Sequence, residues 1–374
     1  MGKAHFEVLD GLRGTAALMV VLFHFSEPLL GDPQANPLGH VFLAVDFFFC
    51  LSGFVIGYAY DGRRELGVAG FVRTRLLRLH PLVLAGATLG LLSFLLDPYG
   101  GTARAADVAL AYASVLLLVP YAAGLPDRFD LLFQLNAPAW SLFWEYVASL
   151  AYVLVLWRLP RRALLALVLC AGAALAALAW HAGTIDGGWG LSNWWQGGLR
   201  TAYSFCAGLL AWRWRFVLRT RCGYLLLSLA LVAGLLAART WMLELALVLA
   251  GFPLLVALGA GGTVSGRTGT LCRFMGRISY PLYITHNMLI WPFAHFVQRA
   301  HPGPLLTTAV VAGGVGVAVA TAFVALRWFD EPLRARLRQR SVVLANAGTH
   351  GKASAANAGF GGRSAHQGLP PSRE

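Results

Sequence analysis

Arg13 and His24 lie in one apolar N-terminal stretch, LDGLRGTAALMVVLFHF (Leu9 to Phe25), with ten residues between them. Eleven helical steps of about 100° come to roughly three turns plus 20°, so both side chains share one face, about 16 Å apart along the axis. An ionisable side chain inside a membrane-crossing helix is costly and turns away from lipid. A cation at one end of such a stripe and an imidazole at the other describe a polar interior site. Imidazole is the group best suited to take a proton near pH 7. The competing reading makes Arg13 an interfacial anchor and His24 a hydrogen-bonded structural histidine.

Four further stretches place polar groups in apolar surroundings. HVFLAVDFFFCLSGFVIGYAY holds Asp46 in its outer third and Ser52-Gly53-Phe54 near its middle. Asp46 has two roles open to it: pairing with Arg104 or another cation, or orienting His24 from the neighbouring antiparallel helix, where contact is expected. The small Ser-Gly step suits close helix packing. In RTRLLRLHPL, Arg75 and Arg78 are three apart and share a helical surface. Two guanidiniums so placed can grip phosphate bidentately, or simply mark the cytoplasmic end of a span. APAWSLFWEYVASLAY sets Glu145 one helical step from Ser141, behind Trp140 and Trp144 of an interface belt. Finally, RISYPLYITHNMLIWPF puts Ser279, Tyr283 and His286 at i, i+4 and i+7, one stripe of one helix.

The elements that must position these residues are membrane helices. Apolar residues make up 57% of the 374-residue chain and charged residues 13%, far fewer charges than a soluble domain of this length carries. Apolar runs long enough to span include 12–30, 41–60, 81–96, 140–157, 163–180 and 305–326. The first run contains Arg13 and His24 and is followed by no small-residue cleavage site, so it reads as a retained span rather than a signal peptide. The net charge of +13 is dispersed in short arginine clusters between spans, which argues for positive-inside topology and against nucleic-acid binding. Loops 31–40, 182–197 and 299–304 hold only Arg299 between them. If the short run 105–121 crossed, the Arg158–Arg162 cluster and every later one would invert. The expectation is therefore an all-α polytopic bundle of about ten transmembrane helices with one re-entrant or interfacial segment inside a 98–138 loop, and both termini cytoplasmic. The membrane domain covers 1–340, and a disordered tail rich in Gly, Ala and Ser covers 341–374. Five scattered cysteines form no metal or disulfide pattern.

Taken in order, Arg13…His24, Phe48-Phe49-Cys50-Leu51-Ser52-Gly53-Phe54, Arg75-x-x-Arg78…Pro81, Trp140-Ser-Leu…Glu145 and Ser279-Tyr…Leu-Tyr…His286 resemble the acyltransferase-3 family of integral membrane acyltransferases. The resemblance runs from about Val8 to Pro332. One departure is Arg78-Leu79-His80-Pro81, where relatives often read Arg-Tyr-x-Pro. The resemblance implies an O-acyltransferase of the bacterial inner membrane. It implies His24 as base, Arg13 as its partner, Asp46 and Glu145 in the catalytic site, and Arg75 and Arg78 at the acyl-CoA donor. Ser52, Ser279, Tyr283, His286 and Trp140 are weaker candidates for substrate or oxyanion contacts. Acetyl-CoA is the expected donor, with no bound cofactor and no metal. The acceptor is expected to be a surface glycan or glycolipid, and a polysaccharide synthesis complex is a compatible partner. Some relatives carry a C-terminal SGNH-type domain; none is expected here. The chemistry agrees: moving an acyl group from thioester to hydroxyl needs a base, oxyanion donors and a grip on a polyanion. The loop Gly183–Gly198, with Trp189, Asn193, Trp194, Trp195 and Gln196, offers sugar-binding chemistry. A transporter or flippase of a lipid-linked sugar, using the buried charges as a relay, is the reading from another class. An acyltransferase acting on a small molecule would share the mechanism.

Overall fold

The computed structural model describes residues 5–30, 36–121, 124–126, 128, 130–220, 222–337 and 339. The expected disordered tail over 341–374 lies outside them. The described residues form helices, with extended pairing confined to single bridges between loops. The helices are α1 (Glu7–Ser26), α2 (Ala44–Tyr60), α3 (Gly67–Leu96), α4 (Ala105–Leu117), α5 (Ala139–Leu154), α6 (Arg161–Ala182), α7 (Trp194–Arg213) and α8 (Tyr224–Leu235). Then come α9 (Trp241–Ala246), joined through a π turn to α10 (Phe252–Gly261), α11 (Gly266–Thr285), α12 (Asn287–Ala300) and α13 (Pro304–Val324), which continues past a second π turn, Ala325–Asp330.

Among the described residues, six helical segments are long and apolar enough to cross a membrane: Glu7–Leu29, Gly39–Tyr60, Gly67–Leu96, Arg161–Ala182, Trp241–Gly261 and Pro304–Leu337. The expected count of ten adds α5, α7, α8 and the α11–α12 pair. Of these α5 and α8 are short. The others dilute their apolar faces with polar groups, among them Arg200 in α7 and Arg273 and Arg277 in α11.

Two parallel helix pairs organise the bundle. Along α1 and α11, Glu7 pairs with Arg273, and Arg13 with Ser279, so both chains rise in the same direction. Along α2 and α7, Asp46 meets Arg200, and Gly53 meets Phe205. Without hydrophobic driving force between helices in lipid, close approach depends on small residues. A Cβ on Gly53 would overlap the Phe205 carbonyl, and one on Gly208 would overlap that of Cys50. The Ser52-Gly53-Phe54 step is thus a packing contact.

Parallel pairing also settles the role of α4. Were α4 a crossing, α7 would run opposite to α2. Its 13 residues span about 20 Å, short of the roughly 30 Å hydrocarbon core. Tyr112 meets Thr88 of α3 at 3.2 Å, so α4 folds back along α3. The chain then pairs with the α6–α7 loop, the Leu132 amide donating to Trp189. Before α5 begins, Leu135 packs on Gly90, and the Asn136 amide donates to the Ile284 carbonyl at 2.8 Å. The described residues of 98–138 fold back against α3 and α11, in keeping with the arginine pattern.

Candidate active site

A cavity of about 430 Å³ lies between α1, α2, α3, α5, α11 and the end of α13. One wall is polar. Arg75 and Arg78 come from one turn of α3, Glu145 from α5, Ser52 from α2, Arg13 from α1 and Ser279 from α11. Glu145 accepts a 2.6 Å hydrogen bond from the Ser52 hydroxyl and a bond from buried Arg75. This three-helix knot is what keeps a carboxylate and a guanidinium at membrane depth, each satisfying the other's charge. Arg13 donates to Ser279 at 2.8 Å and to the Gly276 carbonyl, fixing α1 to α11 below His24. Arg78 differs from Arg75. It stands exposed on the cavity wall and makes no hydrogen bond or ion pair among the described residues. Arg277 and Arg334 flank the mouth, paired with Glu331 and Asp330.

His24 does not line this cavity. It sits at the other end of α1, with Nδ1 2.5 Å from the Glu27 carboxylate. An ionised carboxylate only accepts, so Nδ1 carries the hydrogen and Nε2 keeps its lone pair. The His286 ring stacks on His24 at 5.2 Å and 24°. His286 lies at the α11–α12 break, fully buried, with Nδ1 donating to the Leu282 carbonyl at 3.0 Å. Its Nε2 therefore also holds a lone pair, and it has no protein partner. Tyr283 stands between the two regions. Its ring lines the cavity and lies 6.1 Å from His286 on the other side.

Several expected residues fall elsewhere. Asp46 does not orient His24, and Arg104 pairs with Asp107 instead. Both Asp46 oxygens accept from Arg200, which also donates to the Gly187 and Phe42 carbonyls and lies over the Trp140 ring at 5.5 Å. A fully buried carboxylate requires such a counter-ion, and α7 supplies it through the close α2 contact. Trp140 is correspondingly buried against Arg200 and is not among the residues lining the cavity. Ser52 and Tyr283 were candidate oxyanion donors, yet their hydroxyl hydrogens are committed. Ser52 donates to Glu145. Ser141 donates to the Pro138 carbonyl at 3.0 Å, so the 2.7 Å Tyr283–Ser141 bond takes its hydrogen from Tyr283. In the α6–α7 loop, the Asn193 Oδ1 accepts the Gly188 and Gly190 amides, and Trp194 stacks on Trp144 at 5.7 Å.

Sequence reasoning overlooked Glu27, Arg200 and a second buried cluster. There Glu244 accepts from Thr184 and the Ile185 amide and lies 3.6 Å from His40. Arg200 and Glu244 were detectable by the rule that singled out Asp46, since each is ionisable within an otherwise apolar helix. Glu27 lies past the helix end and carried no such signal.

Comparison with known proteins agrees with this architecture. A family model described as an acyltransferase domain, acyltransferase-3, matches residues 6–326. The chain is 33% identical over 160 residues to "Protein 2 in picA locus" of Rhizobium radiobacter, covering 39% of this chain and 80% of that protein. It is 32% identical over 220 residues to a protein of Komagataeibacter xylinus named as a membrane-bound transacylase, BcsY, covering 54% of this chain and half of that one. No solved structure matches. The chain belongs to the acyltransferase-3 family and is a multi-pass membrane acyltransferase.

Proposed function

We propose that this enzyme transfers an acyl group, acetyl in the simplest case, from acyl-CoA to a hydroxyl of a surface or secreted glycan or its lipid-linked precursor. Its setting is the bacterial inner membrane with both termini cytoplasmic, because the arginine-rich loops then all lie inside. The single observation that carries the donor side is Arg78. An exposed, uncompensated guanidinium in a cavity wall, with Arg277 and Arg334 at the mouth, is a phosphate grip facing the arginine-rich side. Arg75 serves it indirectly, its charge already engaged by Glu145.

On the opposite side His24 acts as base. Glu27 holds the imidazole with Nε2 free to accept the proton of the attacking hydroxyl. The acceptor oxygen bonds to the thioester carbonyl carbon, the carbon–sulfur bond breaks, and the sulfur leaves as thiolate. The proton on His24 then passes to that thiolate, releasing CoA thiol and regenerating the neutral imidazole. No external oxidant or further group enters the balance.

Titration of the purified protein in detergent with CoA tests the donor half. Arg78→Ala is expected to weaken binding at least about tenfold, the range of one charge-assisted contact. Unchanged affinity would remove the cavity as the donor site.

A further inference from the structure

A series of ring contacts leads from the donor cavity to His24. Phe48 of α2 and Tyr283 of α11 both line the cavity, and their rings meet edge-on at 5.7 Å and 83°. The Tyr283 ring also lies 6.1 Å from His286, which is stacked in turn on His24. The thioester must reach His24, yet neither histidine lines the cavity. Those ring contacts connect the cavity to His24, which makes the Phe48–Tyr283 contact the place where the acyl group is presented.

The two rings are held differently. Tyr283 is pinned by its hydroxyl through Ser141 to the Pro138 carbonyl, at the start of α5. Phe48 has no polar handle and is only half-buried, packed among apolar side chains of α1 and α2. A fixed ring facing a ring held by dispersion alone makes a stop whose depth is set by Phe48. Edge-to-face contact at this spacing leaves no room for added methylenes, and filling occupied space costs more than burial returns.

We infer that Phe48 is the specificity-determining residue of this transferase, limiting the acyl groups it passes to His24 to short ones. Short chains fit on the cavity side of the contact; longer chains collide with the Phe48 ring. The inference rests on the proposed acyl-CoA reaction and concerns the size of the group transferred.

The test uses membranes carrying the full-length protein, supplied with equal acetyl-CoA and hexanoyl-CoA, each labelled in its acyl group with a different isotope. Label is counted in the glycan fraction. Wild type is expected to incorporate acetyl in large excess, and Phe48→Ala to lower the acetyl-to-hexanoyl ratio at least tenfold. Tyr283→Phe, which frees the ring without removing it, should lower the ratio by less. Size-exclusion in detergent checks assembly, and Phe48→Leu is the milder variant should Phe48→Ala not assemble. An assembled, active Phe48 variant with an unchanged ratio would overturn the assignment, as would failure of both variants to assemble, which would make Phe48 a packing residue. Absence of label from either thioester with wild type would instead overturn the acyl-CoA reaction itself, and this inference with it.

Discussion

At the scale of single residues, the decisive distinction is between charges that are satisfied by protein and those left for a ligand. Asp46 and Arg200 belong to the first group, buried with every strong bond made to protein. Breaking a buried pair strands a charge and costs about 3–5 kcal/mol, whereas replacing both partners by apolar groups is often neutral. Asp46→Asn should therefore lower the melting temperature in detergent sharply, while Asp46→Leu combined with Arg200→Met should recover most of it. A stable Asp46→Asn protein that has lost turnover would instead return Asp46 to the chemistry. His24 belongs to the second group. Its Nε2 is free for an acceptor hydroxyl, and loss of a general base costs roughly 10²–10⁴-fold in rate. Glu27→Gln should lower kcat with little change in KM, because the amide no longer dictates which ring nitrogen carries hydrogen. Asp46 and His24 were legible from sequence, since ionisable groups in apolar helices stand out; Arg200 obeys the same rule and was overlooked, and Glu27 lies past the helix end. What each one pairs with was not legible. Asp46 finds Arg200, 154 positions away, because two helices approach through Gly53 and Gly208, and no spacing rule encodes that contact.

At the scale of elements, the parallel packing of α2 on α7 sets both topology and stability. Gly53→Leu would drive a side chain into the Phe205 backbone, and helix separation is the only relief. The variant should fail to give a monodisperse particle in detergent; normal assembly would mean that the α2–α7 contact is dispensable. The same parallel pair makes α4 a non-crossing hairpin. A topology reporter fused after Tyr121 should report the same side as one placed after Gly100, in the α3–α4 loop. Opposite signals would mean that α4 crosses and that the helix order inverts. The non-crossing role of 105–121 was legible because arginine distribution counts crossings independently of hydropathy. The break at His286 was harder to foresee. Pro281 and Pro292 flank it, but neither proline marks the residue where the helix axis changes. That break matters, because it delivers His286 against His24.

At the scale of the whole molecule, the proposed reaction is divided between two faces. Arginines gather where the cavity opens, and the imidazoles lie at the opposite end of α1 and α11, linked to the cavity through ring contacts of Tyr283 and Phe48. Such a division lets a charged donor stay on one side while only its acyl group is presented to the other. The most direct measurement follows label from acetyl-CoA, radiolabelled in the acetyl group, into the glycan fraction of membranes carrying the protein, wild type beside His24→Ala. Label that accumulates with wild type and falls at least a hundredfold with an equally well-assembled His24→Ala protein is the expected result. Equal labelling by both proteins would contradict His24 as base, and no labelling by well-expressed wild type would contradict acetyl-CoA-dependent glycan acylation.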